Sequence, residues 1–479
     1  EISNLMEKIK SISKYFFSLL NIFLFKLKTF YFKTNFYNNR ISKNIPLKLN
    51  YRPSSHIISS LTSFDKKKIQ INNFSLSSIW QLNSKNKLEF ENLHNFLWLM
   101  SLDIKTSKAS TQNIIENWID NNNNFKEQTW RLNILSKRII SWISNSNLTM
   151  NESAQQYKQK FILSITKQIN HLANNVDNLN DDEKKLICSA SLILVGLVFK
   201  DYNNHYKLGL SIIQKFIKNN FDNYGFTKSR NPEELMICLK YFIIIKEWLK
   251  ESQNQVPEYL EEIIYNSGKS YFFLTKSLTK LPLFNGSSEI ENNQFKIYLK
   301  NLGYDFPGDT KERAGYVLFK DKKIVFIMDI GNSPEIKFSN KYQSGCLSFE
   351  ITSNGEKFIC NLGYALEKSY KTQLLSRSTA AHTTLYLNNN SSCFFKKGYL
   401  FESNKEKLLQ KGLKILDKKI TFEKNFENVI ASHNGYKKTY GYIHERSIKF
   451  MKKEKTLLGK DSLIKNNGAA DIPFGIRFH

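Results

Sequence analysis

Proline and glycine are scarce in this 479-residue chain, with 8 and 19 copies respectively. Few of them interrupt the apolar-periodic stretches between residues 88 and 275, so long helices can run there unbroken. Strand-like alternation is also missing from that region, which excludes a βαβ rhythm. Cysteine is sparse and odd in number: Cys188, Cys238, Cys346, Cys360 and Cys393. No CxxC pair occurs, so neither a zinc ribbon nor a finger can be drawn, and a disulfide framework is disfavoured. The longest apolar runs, at residues 15–25 and 186–199, are too short to span a bilayer. No strict sequence period places the chain in a named repeat family.

What is present fits a globular protein of two or three domains. Hydrophobic residues make up 41% of the chain, and 70 Lys+Arg against 43 Asp+Glu give a formal charge of +27. Such a field attracts nucleic acid, anionic lipid or acidic polysaccharide. A Lys/Asn/Ile-rich background composition with a solvated lysine surface accounts for the charge equally well. No nucleic-acid-binding module is recognisable. The chain opens on Glu1 and closes on Ile476-Arg-Phe-His479 with no visible signal peptide, the pattern expected of a fragment.

Helical spacing is carried by Leu93, Phe96, Leu97 and Met100, and by Ile134, Ile139, Trp142 and Ile143. It returns in Leu186–Phe199, Leu208–Phe216 and Leu235–Leu249, separated by Asn/Asp-rich turns. This predicts an array of paired antiparallel helices. From Gly315 the chain changes to short strands. Tyr316–Phe319 and Ile324–Ile330 flank a charged turn, and Asn354-Gly355 divides the next pair. Strands at this spacing predict an antiparallel β-sandwich. The domain boundary is expected near residues 276–295.

The order of several short patterns then resembles the heparinase II/III family of polysaccharide lyases. They include Leu93-His94-Asn-Phe96-Leu-Trp98-Leu99, Trp130, Arg138, Ser229-Arg-Asn-Pro232 and Leu283-Phe-Asn-Gly286. Further along come Ser348-Phe-Glu350, Arg377-Ser-Thr-Ala-Ala-His382, Ala431-Ser-His-Asn-Gly-Tyr436 and His444-Glu-Arg446. The resemblance covers roughly residues 78–479. It implies a multi-domain α + β fold: an N-terminal arm (1–77), an (α/α) toroid of helical hairpins (78–285), and a C-terminal antiparallel β-sandwich (295–479) truncated at its C-terminus. It also implies a bacterial protein of the cell envelope or periplasm that cleaves uronate-containing polysaccharide by β-elimination in a basic interdomain cleft.

On this reading the partner is an acidic polysaccharide, with no nucleic acid and no integral membrane span. Elimination needs a neutralised carboxylate, a base for the C5 proton and an acid for the leaving oxygen. Asn231, His382 and His433 are the catalytic candidates, with Arg377, Arg230, Tyr436 and Arg446 on the substrate. Asn231 would neutralise the uronate at a helix start, and Arg377 would clamp it. His433 would be displayed at a sheet-end turn, and His382 would sit on a strand beside Thr384 and Tyr386. Each has a plainer alternative. His382 would be a half-buried histidine bonded to a backbone carbonyl, Arg377 a structural pair to a nearby Glu, and Arg230-Asn231-Pro232 only a helix start.

The structural zinc implied by the resemblance maps onto Gln343, Asn361 and His382. Two of the three are amides, so no metal and no other cofactor is expected. A catalytic histidine of relatives falls on Lys341, and a catalytic tyrosine falls near Glu234. These replacements leave open a second reading: a non-catalytic glycan-binding or envelope-assembly protein that retained the fold.

Overall fold

The computed structural model describes residues 16, 19–20, 22–46, 48–62, 80, 87–101, 108–307, 310–365, 370–396, 408–466 and 468–479. Much of the arm expected over residues 1–77, namely 1–15, 17–18, 21, 47 and 63–77, lies outside them. Two compact units are present. One comprises residues 1–219 with 240–261, the other residues 220–239 with 262–479.

The first unit is helical. Its longer helices are α1 (Lys108–Asn122), α2 (Leu132–Ser144), α3 (Gln155–Asn175), α4 (Asp182–Val198) and α5 (Asn203–Asn220). The expected periodicity sets their inward faces: Ile134, Leu135, Ile139, Trp142 and Ile143 of α2 are buried. Asp181 caps α4 by accepting the Lys184 N–H at 3.1 Å. The spacing over residues 93–100 does not make one helix. A helix over Lys87–His94 ends there, Phe96 takes φ +59°, and a 3₁₀ turn covers Leu97–Ser101. Asn95 drives the break, because its Oδ1 accepts the Leu97 N–H at 2.8 Å.

A polar knot lies within this apolar packing. Arg138 is fully buried and its guanidinium lies 4.2 Å from the Trp118 ring. It donates to Gln168 Oε1 at 2.8 Å, His94 O at 2.9 Å and Thr129 O at 3.1 Å. His94 Nδ1 accepts from the Trp118 indole at 3.0 Å, and His171 Nδ1 meets Tyr37 Oη at 2.7 Å. Burial pushes both imidazoles down to about 3, with the Arg138 and Lys126 charges assisting at His94 and Lys28 at His171.

Helices α6 (Pro232–Glu251) and α7 (Glu258–Thr275) follow. A further helix, α8 (Asn293–Asn301), stands where the sandwich was expected to begin, and the first strand comes only at Glu312. The Phe295, Tyr298 and Leu299 set turns its apolar stripe inward. Thirteen strands follow among the described residues. The first sheet runs in order β1 (Glu312–Arg313), β2 (Tyr316–Asp321), β3 (Ile324–Asp329), β4 (Phe349–Ser353), β5 (Glu356–Ile359), all antiparallel. Asn354 and Gly355 both take positive φ, +54° and +87°, as a two-residue hairpin turn requires.

The second sheet is antiparallel in the order β12, β11, β10, β9. Its strands are β9 (Ile415–Phe422), β10 (Phe426–His433), β11 (Tyr442–Met451) and β12 (Thr456–Lys465). Two shorter pairs join β6 (Leu385–Leu387) to β13 (Phe474–Ile476) and β7 (Phe394–Phe395) to β8 (Leu409–Lys411). Inward residues of both main sheets meet in one core that includes Val317, Phe326, Met328, Phe349, Val429 and Ile448. The fold is therefore a helical N-terminal array followed by an antiparallel β-sandwich. None of the described helices is long and apolar enough to cross a membrane.

Candidate active site

Every candidate side chain belongs to the second unit, yet they fall into separate groups. Asn231 precedes Pro232 at the start of α6. Its Oδ1 accepts the N–H groups of Glu233 (2.9 Å) and Glu234 (3.3 Å), as an N-cap does. Its Nδ2 is buried and has no hydrogen-bond partner among the described residues. Glu234, at the family's tyrosine position, accepts from Ser229 Oγ at 2.5 Å. Glu233 Oε2 accepts from the Ser288 N–H at 2.8 Å and Oγ at 2.7 Å, drawing the Asn285-Gly286 turn toward the helix start.

Arg230 takes φ +60° and faces the other way. It pairs with Asp329 at 2.7 Å, donates to Gly315 O at 2.9 Å, and lies 4.7 Å from the Tyr316 ring. Asn285 Nδ2 donates to Asp329 Oδ2 at 2.9 Å and to Tyr316 Oη at 2.7 Å, closing the network. Arg230 also borders a cavity of about 780 Å³ that carries Lys228, Arg313 and Lys418 beside Asp222, Glu312 and Glu335, with Tyr224 and Phe338 as aromatic walls.

His382 does not lie on a strand. It follows a 3₁₀ turn over Thr379–Ala381 and precedes β6, because its Nδ1 is drawn 2.8 Å from Ser378 O. A carbonyl can only accept, so Nδ1 carries the proton. Nε2 is then a buried lone pair without a partner among the described residues. Burial pushes this imidazole down to about 4.

The expected clamp at Arg377 is not displayed either. Its guanidinium donates to Tyr342 O (2.7 Å) and Ser339 O (2.8 Å) and lies 3.9 Å from the Phe395 ring. Such a residue ties three segments together by backbone contacts.

His433 was expected at an exposed turn, but only 1% of it is exposed. The inward set of β10 is Val429, Ala431 and His433, and the strand register places His433 opposite His444 of β11. The tautomers follow from the partners. His433 Nδ1 accepts the Gly435 N–H at 3.0 Å, so its Nε2–H donates to His444 Nδ1 at 3.2 Å. His444 Nε2–H then donates to Asp461 at 2.7 Å. Asp461 also takes two bonds from Arg446, at 2.7 and 2.9 Å, and these partners hold its carboxyl well below the usual range despite burial. Arg446 completes its fork on Leu347 O and Thr383 O. Tyr436 is buried too, donating to Leu385 O at 3.2 Å. Both ring nitrogens of His433 are thus committed, and Arg446 and Tyr436 serve the interior.

The zinc implied by the resemblance meets a donor set that does not fit it. Gln343 Oε1 already accepts the Gly286 N–H at 2.9 Å, while its Nε2 donates to Gly363 O (3.1 Å) and Ser376 O (2.6 Å). Asn361 Oδ1 accepts the Thr383 N–H at 3.0 Å. Neutral amides lack the charge and basicity that zinc selects. Here they bridge by hydrogen bonds the segments that a metal would otherwise hold. Dialysis against a strong chelator should leave the thermal midpoint unchanged, whereas Gln343→Ala should cost about 2–3 kcal/mol by orphaning buried backbone groups. Stoichiometric zinc that disappears on His382→Ala would contradict this.

Gly286, outside the candidate set, packs against Asn231. A Cβ on Gly286, whose φ is +103°, would fall 2.9 Å from Asn231 Nδ2 and 2.6 Å from Lys341 Cβ. Tyr364 is tied to the same turn, its N–H donating to Ser287 O at 2.9 Å.

The chain is thus a helical array followed by an antiparallel sandwich, with a polar helix start beside a glycine turn. Residues 308–479 match the family described as Heparinase II/III-like, C-terminal. That match covers the sandwich and the segment just before it. No curated protein matches in sequence. Among solved structures, the chain is similar to the heparan sulfate lyase HepC mutant from Pedobacter heparinus at 18% identity and TM-score 0.58, covering 81% of this chain and 64% of that one. It is also similar to a heparinase III gene product (16%, TM-score 0.60, 81% and 67%) and to a heparinase III (16%, 0.61, 88% and 74%). The chain spans just under two thirds of the HepC length, and at these identities the likeness is one of fold.

Proposed function

We propose that this protein is a polysaccharide lyase-like enzyme that acts on uronate-containing polysaccharide by β-elimination. The observation that supports it most is the unpartnered amide N–H of Asn231, held rigid by its own capping bonds. Such a donor offers a sugar carboxylate the neutralising contact that makes the C5 proton removable. The cavity beside Arg230 and Lys228, with half-exposed Tyr224 at its wall, suits neighbouring sugars: aromatic rings cover pyranose faces and cations meet acidic groups. The family resemblance supports a location at the cell envelope or periplasm.

A second reading is favoured by one observation. His433, expected to be catalytic, and Arg377, expected to clamp the substrate, are committed to the core. A non-catalytic glycan-binding protein would need neither. The test is to incubate the protein with heparan sulfate, hyaluronan, alginate and polygalacturonate, and to follow the ultraviolet absorbance of an unsaturated uronate. Growth of that absorbance supports the enzyme; saturable glycan binding without it supports the second reading.

A further inference from the structure

We propose that the helix over residues 22–32, with the helical residues just before it, lays an apolar stripe into an anionic membrane surface. It would hold the protein to a bilayer without crossing it.

The sequence supplies the stripe. Phe16, Leu19, Leu20, Phe23, Leu27 and Phe30 stand at i, i+3, i+4, i+7, i+11 and i+14, the spacing of one helix face. Residues 16, 19–20 and 22–32 are helical. Such a face ordinarily turns into the core. Here it turns to solvent: Phe30 is 71% exposed, Phe16 65% and Phe23 57%, and Leu19, Leu20 and Leu27 are exposed as well. The opposite face makes the core contact, where the Phe32 ring lies 5.0 Å from the rings of both Phe125 and His171.

The segment that follows is fixed to the helical unit. Tyr37 and Ile41 are buried, Tyr37 Oη meets His171 Nδ1 at 2.7 Å, and Asn170 Nδ2 donates to Ile41 O at 2.7 Å. Phe36, 72% exposed, prolongs the apolar surface past the turn at residues 33–34. An exposed apolar surface of this extent marks an interaction site.

Charge selects the occupant. Residues 8–64 contain ten Lys and Arg and no Asp or Glu, more than a third of the chain's formal +27. Lys26 and Lys33, seven residues apart and both exposed, run along one edge of the stripe. Anionic headgroups meet such a lysine edge while Phe and Leu enter the acyl boundary. A second copy of the chain would instead bring the same ten cations against these, which opposes self-association. No described helix is long and apolar enough to cross a membrane, so the stripe lies along the surface.

The test mixes the full chain with phosphatidylcholine vesicles made with and without phosphatidylglycerol, and measures cosedimentation. Binding should require the anionic lipid and weaken as salt rises. Phe23→Ser/Phe30→Ser should weaken it about tenfold or more by removing buried rings. Lys26→Gln/Lys33→Gln should weaken it about tenfold on the anionic vesicles. All four side chains are exposed, so an unchanged melting midpoint separates lost binding from lost folding. Binding that either pair of substitutions leaves intact, or equal binding to the neutral vesicles, overturns the proposal. Absence of binding to anionic vesicles overturns it too, and a wild-type dimer split by Phe23→Ser/Phe30→Ser would then assign the stripe to a second copy.

Discussion

Between pH 6.5 and pH 4 the helical unit is expected to lose on the order of 5–7 kcal/mol of stability. The cause is the pair His94 and His171, both pushed down to about 3 by burial. Unfolded, each titrates near its ordinary 6.5. Above that value neither state holds the extra proton, and the stability is fully present. As pH falls below 6.5 the unfolded chain binds protons that the folded one refuses, and each group then costs about 1.4 kcal/mol per pH unit until its folded value near 3 is reached. Two groups over about 2.5 pH units give the quoted loss, comparable to the whole stability of a typical domain. Thermal melts by circular dichroism at half-unit steps measure it. A midpoint flat from pH 6.5 to 4.5 would show that these imidazoles are not held neutral.

Asp461→Ala should be the most damaging single change in the sandwich, at about 3–5 kcal/mol. It strips the carboxylate from Arg446 and from His444, leaving a buried guanidinium with only two backbone carbonyls. Removing one partner of a buried pair costs more than removing both. The double variant Asp461→Leu/Arg446→Met should therefore recover part of the loss. Urea unfolding followed through tryptophan-independent far-ultraviolet signal gives the comparison. A loss below about 1 kcal/mol for Asp461→Ala would mean the chain from His433 to Asp461 contributes no net stability.

The contrast between the two units shows what a sequence displays. Helices α4, α5 and α6 were legible because apolar periodicity over 15 or more residues has one structural solution. The Asn354-Gly355 hairpin was legible because few residues tolerate paired positive φ. The His433 environment was not, although its signal was present: Val429, Ala431 and His433 share one parity, as do His444, Arg446 and Ile448. Parity shows which residues share a face, but not which face turns inward or what lies opposite. Asp461 could be found only once the register paired it with Arg446.

Arg377 illustrates the same limit. A conspicuous arginine five residues before a histidine looks like a ligand clamp. Its three-segment backbone role depends on where Ser339 and Tyr342 fall in space. Asn231 was legible because a cap is local: Asn-Pro before an apolar run fixes both the helix start and the direction of the amide. The Gly286 contact was not, because Asn231 and Lys341 reach it from 55 residues away on either side in sequence.

The proposed chemistry rests on Asn231 at the start of α6 rather than on the buried histidines. The most direct measurement is the rate of unsaturated-uronate formation by Asn231→Ala and His433→Gln, each assayed at a temperature where its circular dichroism matches the wild type. Asn231→Ala should lose about 100- to 1,000-fold in kcat, the scale of one lost charge-stabilising donor, while His433→Gln stays within a few fold. Full activity in Asn231→Ala with collapse in His433→Gln would contradict the account.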